Sequence, residues 1–272
     1  MVPPSPGSVR HPSYPAPGSA PVTGGNLSEV SLVEFTDTPL TPNCARVFDS
    51  GVHVVVGVSL GNSYFNGDVL RGLLRWLHVR FETIDIVVPD SSYHDNLLVA
   101  GHPAAYAKRK TTRETVTARS RILRSWQQAG IGAPGAEHLH LLSGLAGDAA
   151  YRSLRAQVVR GLAEDAELRR CCLEMSASAL RSQLRGAEPS PGQVEAGLGY
   201  LEAELPFFLG SADVFGVASS LCFYHRPIPV AELLFARGGS LRPPPSQGYA
   251  LIRPAHEAGP VPAEGEVQGV RS

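Results

Sequence analysis

The chain has 272 residues, 24 Lys and Arg against 25 Asp and Glu, a formal net charge of -1 and 43% hydrophobic side chains. That length suits one large domain or two small ones with a substantial core, and the balanced charge leaves nucleic-acid binding to a local basic patch. Cys44, Cys171, Cys172 and Cys222 show neither CxxC nor Cys/His metal spacing, which argues against a disulfide framework and for a reducing, cytoplasmic home; no apolar run nears the ~20 residues of a membrane span.

In chain order, residues 1–29 are rich in Pro, Gly and Ser and lack the charge order of a signal peptide, so a disordered extension is expected there. A similar tail is expected at 256–272, leaving 30–255 as a single folded domain. Residues 52–58 read as a buried strand and 68–81 as an amphipathic helix. A β-branched strand at 83–88 ends at Pro89-Asp90. A helix at about 103–128 and a strand near 138–142 follow, then helical stretches at about 148–185 and 191–209, the latter opened by Ser190-Pro191. The last elements are a strand-like run at 217–224, a helix at 229–235 and a strand at 249–252. No internal repeat is visible. Strands alternating with helices predict an α/β fold, a mostly parallel sheet flanked by helices, whose ligands bind at the carboxyl ends of strands.

Four constellations carry chemistry. The first is Gly57-Val58-Ser59-Leu60-Gly61 at a strand-to-helix turn, which fits the G-x-S-x-G elbow of hydrolases. The match is short, and no HGGG-like oxyanion segment lies upstream. A serine there is also compatible with a cap or a phosphate contact. The second is Tyr200 and Glu204, four residues apart on one helical face among Leu198, Leu201 and Leu205. A carboxylate buried there needs a donor or cation, which the α-ammonium of a substrate would supply; a surface pair is the plainer alternative. The third is Tyr224-His225 at the end of a strand, able to relay protons or simply to pack. The fourth is the basic stripe of Lys108, Arg109, Lys110, Arg113, Arg119, Arg121 and Arg124, suited to phosphates or to solvent. Cys171 and Cys172 read as small buried apolar residues.

In this order, G-V-S-L-G-N-S-Y-F (57–65), F-E-T-I-D-I-V-V-P-D (81–90), G-L-G-Y-L-E-A-E-L-P-F-F (197–208) and S-S-L-C-F-Y-H (219–225) resemble the cyclodipeptide synthases. These enzymes join two aminoacyl-tRNAs into a cyclic dipeptide. Asn62, Tyr224 and His225 match the marks of the larger, NYH branch. The resemblance implies a Rossmann-like domain similar to the catalytic domain of class I tyrosyl- and tryptophanyl-tRNA synthetases. Neither H-I-G-H, K-M-S-K-S nor a P-loop is found, so no ATP, cofactor or metal is expected; the substrates are two aminoacyl-tRNAs, and the expected state is a cytoplasmic monomer with no membrane partner.

By the same resemblance Ser59 is the nucleophile, its proton passing to the leaving ribose oxygen. Tyr200 and Glu204 hold the bound aminoacyl group by its α-amine. The second aminoacyl-tRNA donates its amine to give a dipeptidyl-Ser59, which closes the ring. Tyr224 positions groups or relays protons in cyclisation, with Asn62 and His225 holding the constellation. Val55, Gly57, Phe207 and Cys222 are expected to line the first aminoacyl pocket, and Lys108, Arg109, Arg113, Arg119 and Arg121 to contact tRNA. A serine esterase and a non-catalytic tRNA-binding relative are the competing readings.

Overall fold

A computed structural model describes residues 33–132, 135–184 and 186–257; the expected extension at 1–29, and the expected tail beyond 257, lie outside the described residues. The elements are β1 (Phe35–Pro39), α1 (Pro42–Ser50), β2 (His53–Gly57), α2 (Gly67–His78), β3 (Thr83–Val88), α3 (Asp90–Val99), α4 (Ala104–Ala129), β4 (Leu139–Leu141), α5 (Leu142–Leu145), α6 (Ala149–Glu164), α7 (Ala166–Gln183), α8 (Pro191–Ala196), α9 (Leu198–Glu204), α10 (Pro206–Phe215), β5 (Ser220–Tyr224), α11 (Pro229–Glu232) and β6 (Gln247–Pro254).

The strands form one sheet in the order β1-β6-β5-β2-β3-β4. Only β1 runs antiparallel to its neighbour, so the mostly parallel sheet read from the sequence is present. From β2 the chain adds β3 and β4 on one side, then crosses to place β5 and β6 on the other. The carboxyl end of β2 is therefore the switch point at which such sheets open a crevice.

Alternation along the strands builds two apolar faces. Val54 and Val56 join Ile84, Ile86, Val88, Leu221 and Phe223 against Leu70, Leu73, Leu74 and Leu77 of α2 and Ile122 and Trp126 of α4. On the other face Val55, Val87, Cys222 and Tyr249 meet Phe207 of α10, Tyr151 of α6 and Leu142. A further core, with Leu154, Val158, Leu168, Leu198, Leu201 and Val230, fills the space among α6, α7, α9 and α11. Among the described residues no helix is long and apolar enough to cross a membrane.

Several elements differ from the sequence reading for local reasons. β1, α1 and α3 were not expected. α1 starts on a Thr41 cap that accepts from Cys44 N, with Pro42 in its first turn. It stops at Gly51, whose φ of 63° and close approach to the Arg80 carbonyl (2.6 Å from an ideal Cβ) leave no room for a side chain. The expected helix at 148–185 is two helices. Asp165 leaves helical geometry, ends α6 and caps α7 by accepting from Glu167 N and Leu168 N. The stretch at 191–209 lies in three helices. Its first break is at Gly197, where a Cβ would collide with Ser176 Oγ of α7. The second precedes Pro206, which has no N–H to continue the ladder.

One polar knot lies within the second face. Asp85 of β3, 5% exposed, has Oδ2 2.9 Å from His53 Nε2 and Oδ1 2.7 Å from His140 Nε2 and 3.3 Å from His138 Nδ1. His53 Nδ1 lies 2.7 Å from Ser220 Oγ, and Ser220 Oγ lies 2.7 Å from Ser211 Oγ on α10. Ser211 donates to Gln247 Oε1 on β6 at 2.9 Å. Burial pushes the Asp85 carboxyl up. Hydrogen bonds from His140 and His53, with their charges, outweigh that and hold it well below the usual carboxylate range. Truncation by Asp85→Ala strands the buried His53 and leaves the half-buried His138 and His140 without their acceptor, and should cost about 3 kcal/mol in denaturant unfolding at pH 7. Because the folded carboxyl is the more acidic, its contribution is complete above the unfolded value near 4 and is lost below it. The wild-type and variant stabilities should therefore converge on acidification towards pH 2; a constant gap would assign the loss to packing alone.

Candidate active site

The pairing of β2 with β3 continues one residue past Gly57, since Val58 N donates to Val87 O at 2.9 Å. Ser59 then leaves the sheet at the switch point. The loop after it is fastened at several places. Gly61 takes φ 72°, and Asn62 Oδ1 accepts from Tyr64 N at 2.9 Å, closing a turn. Asn66 caps α2 by accepting from Asp68 N and Val69 N. Arg121 Nη1 on α4 donates to Phe65 O at 2.7 Å. The Tyr64 ring stacks on His225 at 3.7 Å and 10°.

Ser59 stands where two cavities meet. One, of about 190 Å³, is apolar and runs beneath α9 and α10; its lining includes Val55, Gly57, Phe207 and Cys222, the four residues singled out for an aminoacyl pocket. The other is a polar cleft of about 600 Å³, with Asn62, Ser92, Asn96, Gln183, His225 and Arg226 on its walls. Ser59, Pro89, Tyr200, Glu204 and Tyr224 line both. Thus Ser59, Asn62, Tyr200, Glu204, Tyr224 and His225, contributed by two loops, a helix and a strand end, surround one junction.

Electrostatics distinguish these groups. Burial pushes the Glu204 carboxyl up to about 7, a shift that the hydrogen bond from Ser92 Oγ (3.0 Å) only moderates. Burial likewise raises the phenols of Tyr200 and Tyr224, and the Glu204 charge adds to both, so they are hydroxyl donors at neutral pH. Burial, then the Arg226 charge, lowers His225 to about 4. The residue is 5% exposed, and among the described residues neither ring nitrogen has a hydrogen-bond partner. A neutral imidazole stacked on Tyr64 is suited to bracing the loop, and no carboxylate orients it as a general base.

Ser92 is a site residue the sequence reading missed. It lies in the first turn of α3, 3% exposed, with its hydroxyl on Glu204. Its signal was weak: α3 shows no apolar periodicity, and Ser92 follows two residues after the Pro89-Asp90 stop.

On α4, Lys108, Arg109, Arg113 and Arg119 are exposed, and Arg113 pairs with Glu114 at 3.0 Å. Arg121 is half-buried and its guanidinium serves the Phe65 carbonyl, so it is a loop anchor rather than a free surface cation. Among the described residues no group of three or more His, Cys, Asp or Glu side chains is arranged to hold a metal ion.

Comparison with known proteins places this geometry. Residues 35–254 match the family model of the cyclodipeptide synthases. A cyclo(L-tyrosyl-L-tyrosyl) synthase from Mycobacterium tuberculosis is 33% identical over 88% of this chain and 83% of its own. A cyclo(L-leucyl-L-phenylalanyl) synthase from Streptomyces noursei is 34% identical over 75% of this chain and 85% of its own. A solved M. tuberculosis structure, described as demonstrating that cyclodipeptide synthetases are related to type I tRNA synthetases, superposes with a TM-score of 0.71 at 31% identity, covering 82% of this chain and 95% of that one. The sheet expected to resemble a class I synthetase domain is the one these relatives share, and the chain belongs to the cyclodipeptide synthases.

Proposed function

We propose that the chain makes its cyclic dipeptide from two aminoacyl-tRNAs by transfer through Ser59, with the NYH set of Asn62, Tyr224 and His225 around it. The observation that carries this reading is the junction: one serine between an apolar cavity and a polar cleft, with an uncompensated carboxylate, Glu204, on the rim of both.

In the first step Ser59 Oγ attacks the ester carbonyl of an aminoacyl-tRNA, and the ribose oxygen leaves with the serine proton. The acyl side chain lies in the apolar cavity. Its α-ammonium meets Glu204, whose acidity near neutrality lets it accept that proton and free the amine. Atom balance then sets the direction of the second step. For the dipeptide to stay on Ser59, the amine of the bound residue must attack the second ester. The direction expected from the sequence, in which the second aminoacyl-tRNA donates its amine, is corrected by that balance: it would free Ser59 and leave the dipeptide on the second tRNA. Finally the new N-terminal amine attacks the Ser59 ester, a six-membered closure in which orientation supplies most of the acceleration. The Tyr224 hydroxyl, at the same rim, supports proton return to Ser59. Because the esters arrive activated, the cycle calls for no ATP.

A serine hydrolase would need an acid-oriented histidine. His225 lines the cleft, and among the described residues its ring nitrogens have no partner.

Three outcomes test this reading. Ser59→Ala should abolish both covalent aminoacylation and cyclic dipeptide, by mass spectrometry, with stability within about 0.5 kcal/mol of wild type; labelled covalent enzyme in the variant would sink the scheme.

The single-turnover rate of dipeptide formation should rise with pH through about 7 as Glu204 ionises, and level off once the carboxylate is formed and the amine is free. Glu204→Gln should lose the acid limb and about 10²–10⁴-fold in rate. A carboxyl raised in the folded state favours folding below its unfolded value and is a liability above 7. Glu204→Gln should therefore raise stability at pH 8, by about 3 kcal/mol, but not at pH 4.

Replacing Lys108, Arg109 and Arg119 together by Gln should weaken tRNA binding and flatten its salt dependence by about three log–log slope units, at most, without blocking acylation of Ser59 at saturating substrate. An unchanged slope would remove α4 from the tRNA surface.

A further inference from the structure

The apolar cavity carries information about what it accepts. Five of its lining residues, Ser59, Pro89, Tyr200, Glu204 and Tyr224, also face the polar cleft and so form the rim. Away from that rim every lining side chain is a hydrocarbon, a thioether or a thiol, or is absent at Gly57. Val55, Val87, Leu142, Phe207, Cys222 and Val230 represent this wall. The Cys222 thiol is directed to the Gly248 carbonyl at 3.5 Å. Gly57 has nothing within 4 Å of the place a Cβ would occupy, so its missing side chain is part of the open space.

We propose that this wall makes the enzyme load Ser59 with an apolar acyl group of leucyl, methionyl or phenylalanyl type, and that it discriminates against tyrosyl, tryptophanyl and asparaginyl groups by leaving their polar atoms without a partner. The inference rests on the acyl-enzyme reading above and deepens it to a substrate class. An apolar protein cavity of about 150 Å³ stays dry and binds benzene. A cavity of about 190 Å³ therefore has room for a benzyl group. A tyrosyl hydroxyl entering the same space surrenders its water and meets, away from the rim, a wall without an oxygen- or nitrogen-bearing side chain. That unpaired burial is worth about 10- to 100-fold against tyrosine relative to phenylalanine, the discrimination an apolar pocket achieves against an added hydroxyl. Asparagine is a near-isostere of leucine and carries the same penalty on two atoms. Among the relatives, this assigns the first position of this enzyme to the leucyl and phenylalanyl type of specificity, not to that of the tyrosyl-tyrosyl synthase.

The test charges one tRNA body chemically with phenylalanine, tyrosine, leucine or asparagine, so that the side chain alone varies. The rate of covalent labelling is followed by intact-protein mass spectrometry on the full chain, with Ser59→Ala as control. Phenylalanyl should load at least 10-fold faster than tyrosyl, and leucyl faster than asparaginyl. Gly57→Ala, which projects a methyl group into the cavity, should depress phenylalanyl loading more than leucyl loading. Equal rates within either pair, or a preference for the polar member, overturns the proposed selection while leaving the acyl-enzyme intact. Absence of Ser59-dependent labelling with all four overturns the acyl-enzyme reading and the selection with it.

Discussion

A single buried carboxylate, Asp85, fixes the strands on which the site is built. It binds imidazoles from β2, from β4 and from the turn before β4, and the chain from His53 through Ser220 and Ser211 reaches β5, α10 and β6. Apolar faces tolerate small slides of one element over another. A chain of directional hydrogen bonds in a dry interior does not, because each broken link strands a buried polar group. The knot lies two residues before Val55 on β2 and Val87 on β3, on the face that forms the cavity. Phe215, at the end of α10, packs its ring 5.1 Å from both His53 and His140, and stacks with Phe207 at 6.3 Å. Phe207 is cavity wall. The roof of the cavity is thus positioned by charge and hydrogen bonds that never touch a substrate.

The junction uses the opposite arrangement. Asp85 and Glu204 are both carboxyls within apolar surroundings, yet their acidities move apart because their partners differ. Asp85 has histidines; Glu204 has the neutral hydroxyl of Ser92. A serine satisfies one lone pair without supplying charge, so the Glu204 site remains incomplete until a cation arrives. Under the proposed cycle that cation is the substrate α-ammonium, and the same incompleteness later makes the carboxylate a competent proton acceptor. A salt bridge to a resident arginine would have removed both properties.

The parts of this structure legible in sequence are those whose signal is local. Strands β2, β3 and β5 and helices α2 and α4 follow from β-branched runs and apolar periodicity. The parallel sheet follows from their alternation, and the turn that carries Ser59 from the two glycines flanking it. What could not be read depends on distant partners. Asp85 stands inside a strand motif, but His53 and His140 lie 32 and 55 residues away, with nothing in the chain to pair them. Arg121 belongs to a basic stripe, and only the rotation of α4 against the loop after Ser59 turns it inward to Phe65. Asn62 reads as part of a functional signature, and the structure assigns it a mechanical task, closing the turn that ends at Tyr64. Ser92 escaped with α3 itself, a helix without a side-chain cap or an amphipathic face to announce it.

Under the proposed cycle, the two compartments let one nucleophile serve an ordered reaction with two chemically similar substrates. Both substrates bring an ester, an amine and a side chain, so selectivity for the first event has to come from the space around Ser59. In that cycle the apolar cavity would hold a side chain and leave the ester carbonyl and amine at the rim, which Tyr200, Glu204 and Tyr224 line. Once the acyl bond forms, that side chain is tethered and the cavity is filled. The next ester can then approach only through the polar cleft, whose walls offer amides, hydroxyls and the Arg226 guanidinium. Covalency turns a difference in polarity between two adjoining spaces into a sequence of steps. It also keeps the bound amine at the rim, within reach of the one position where the second carbonyl can arrive.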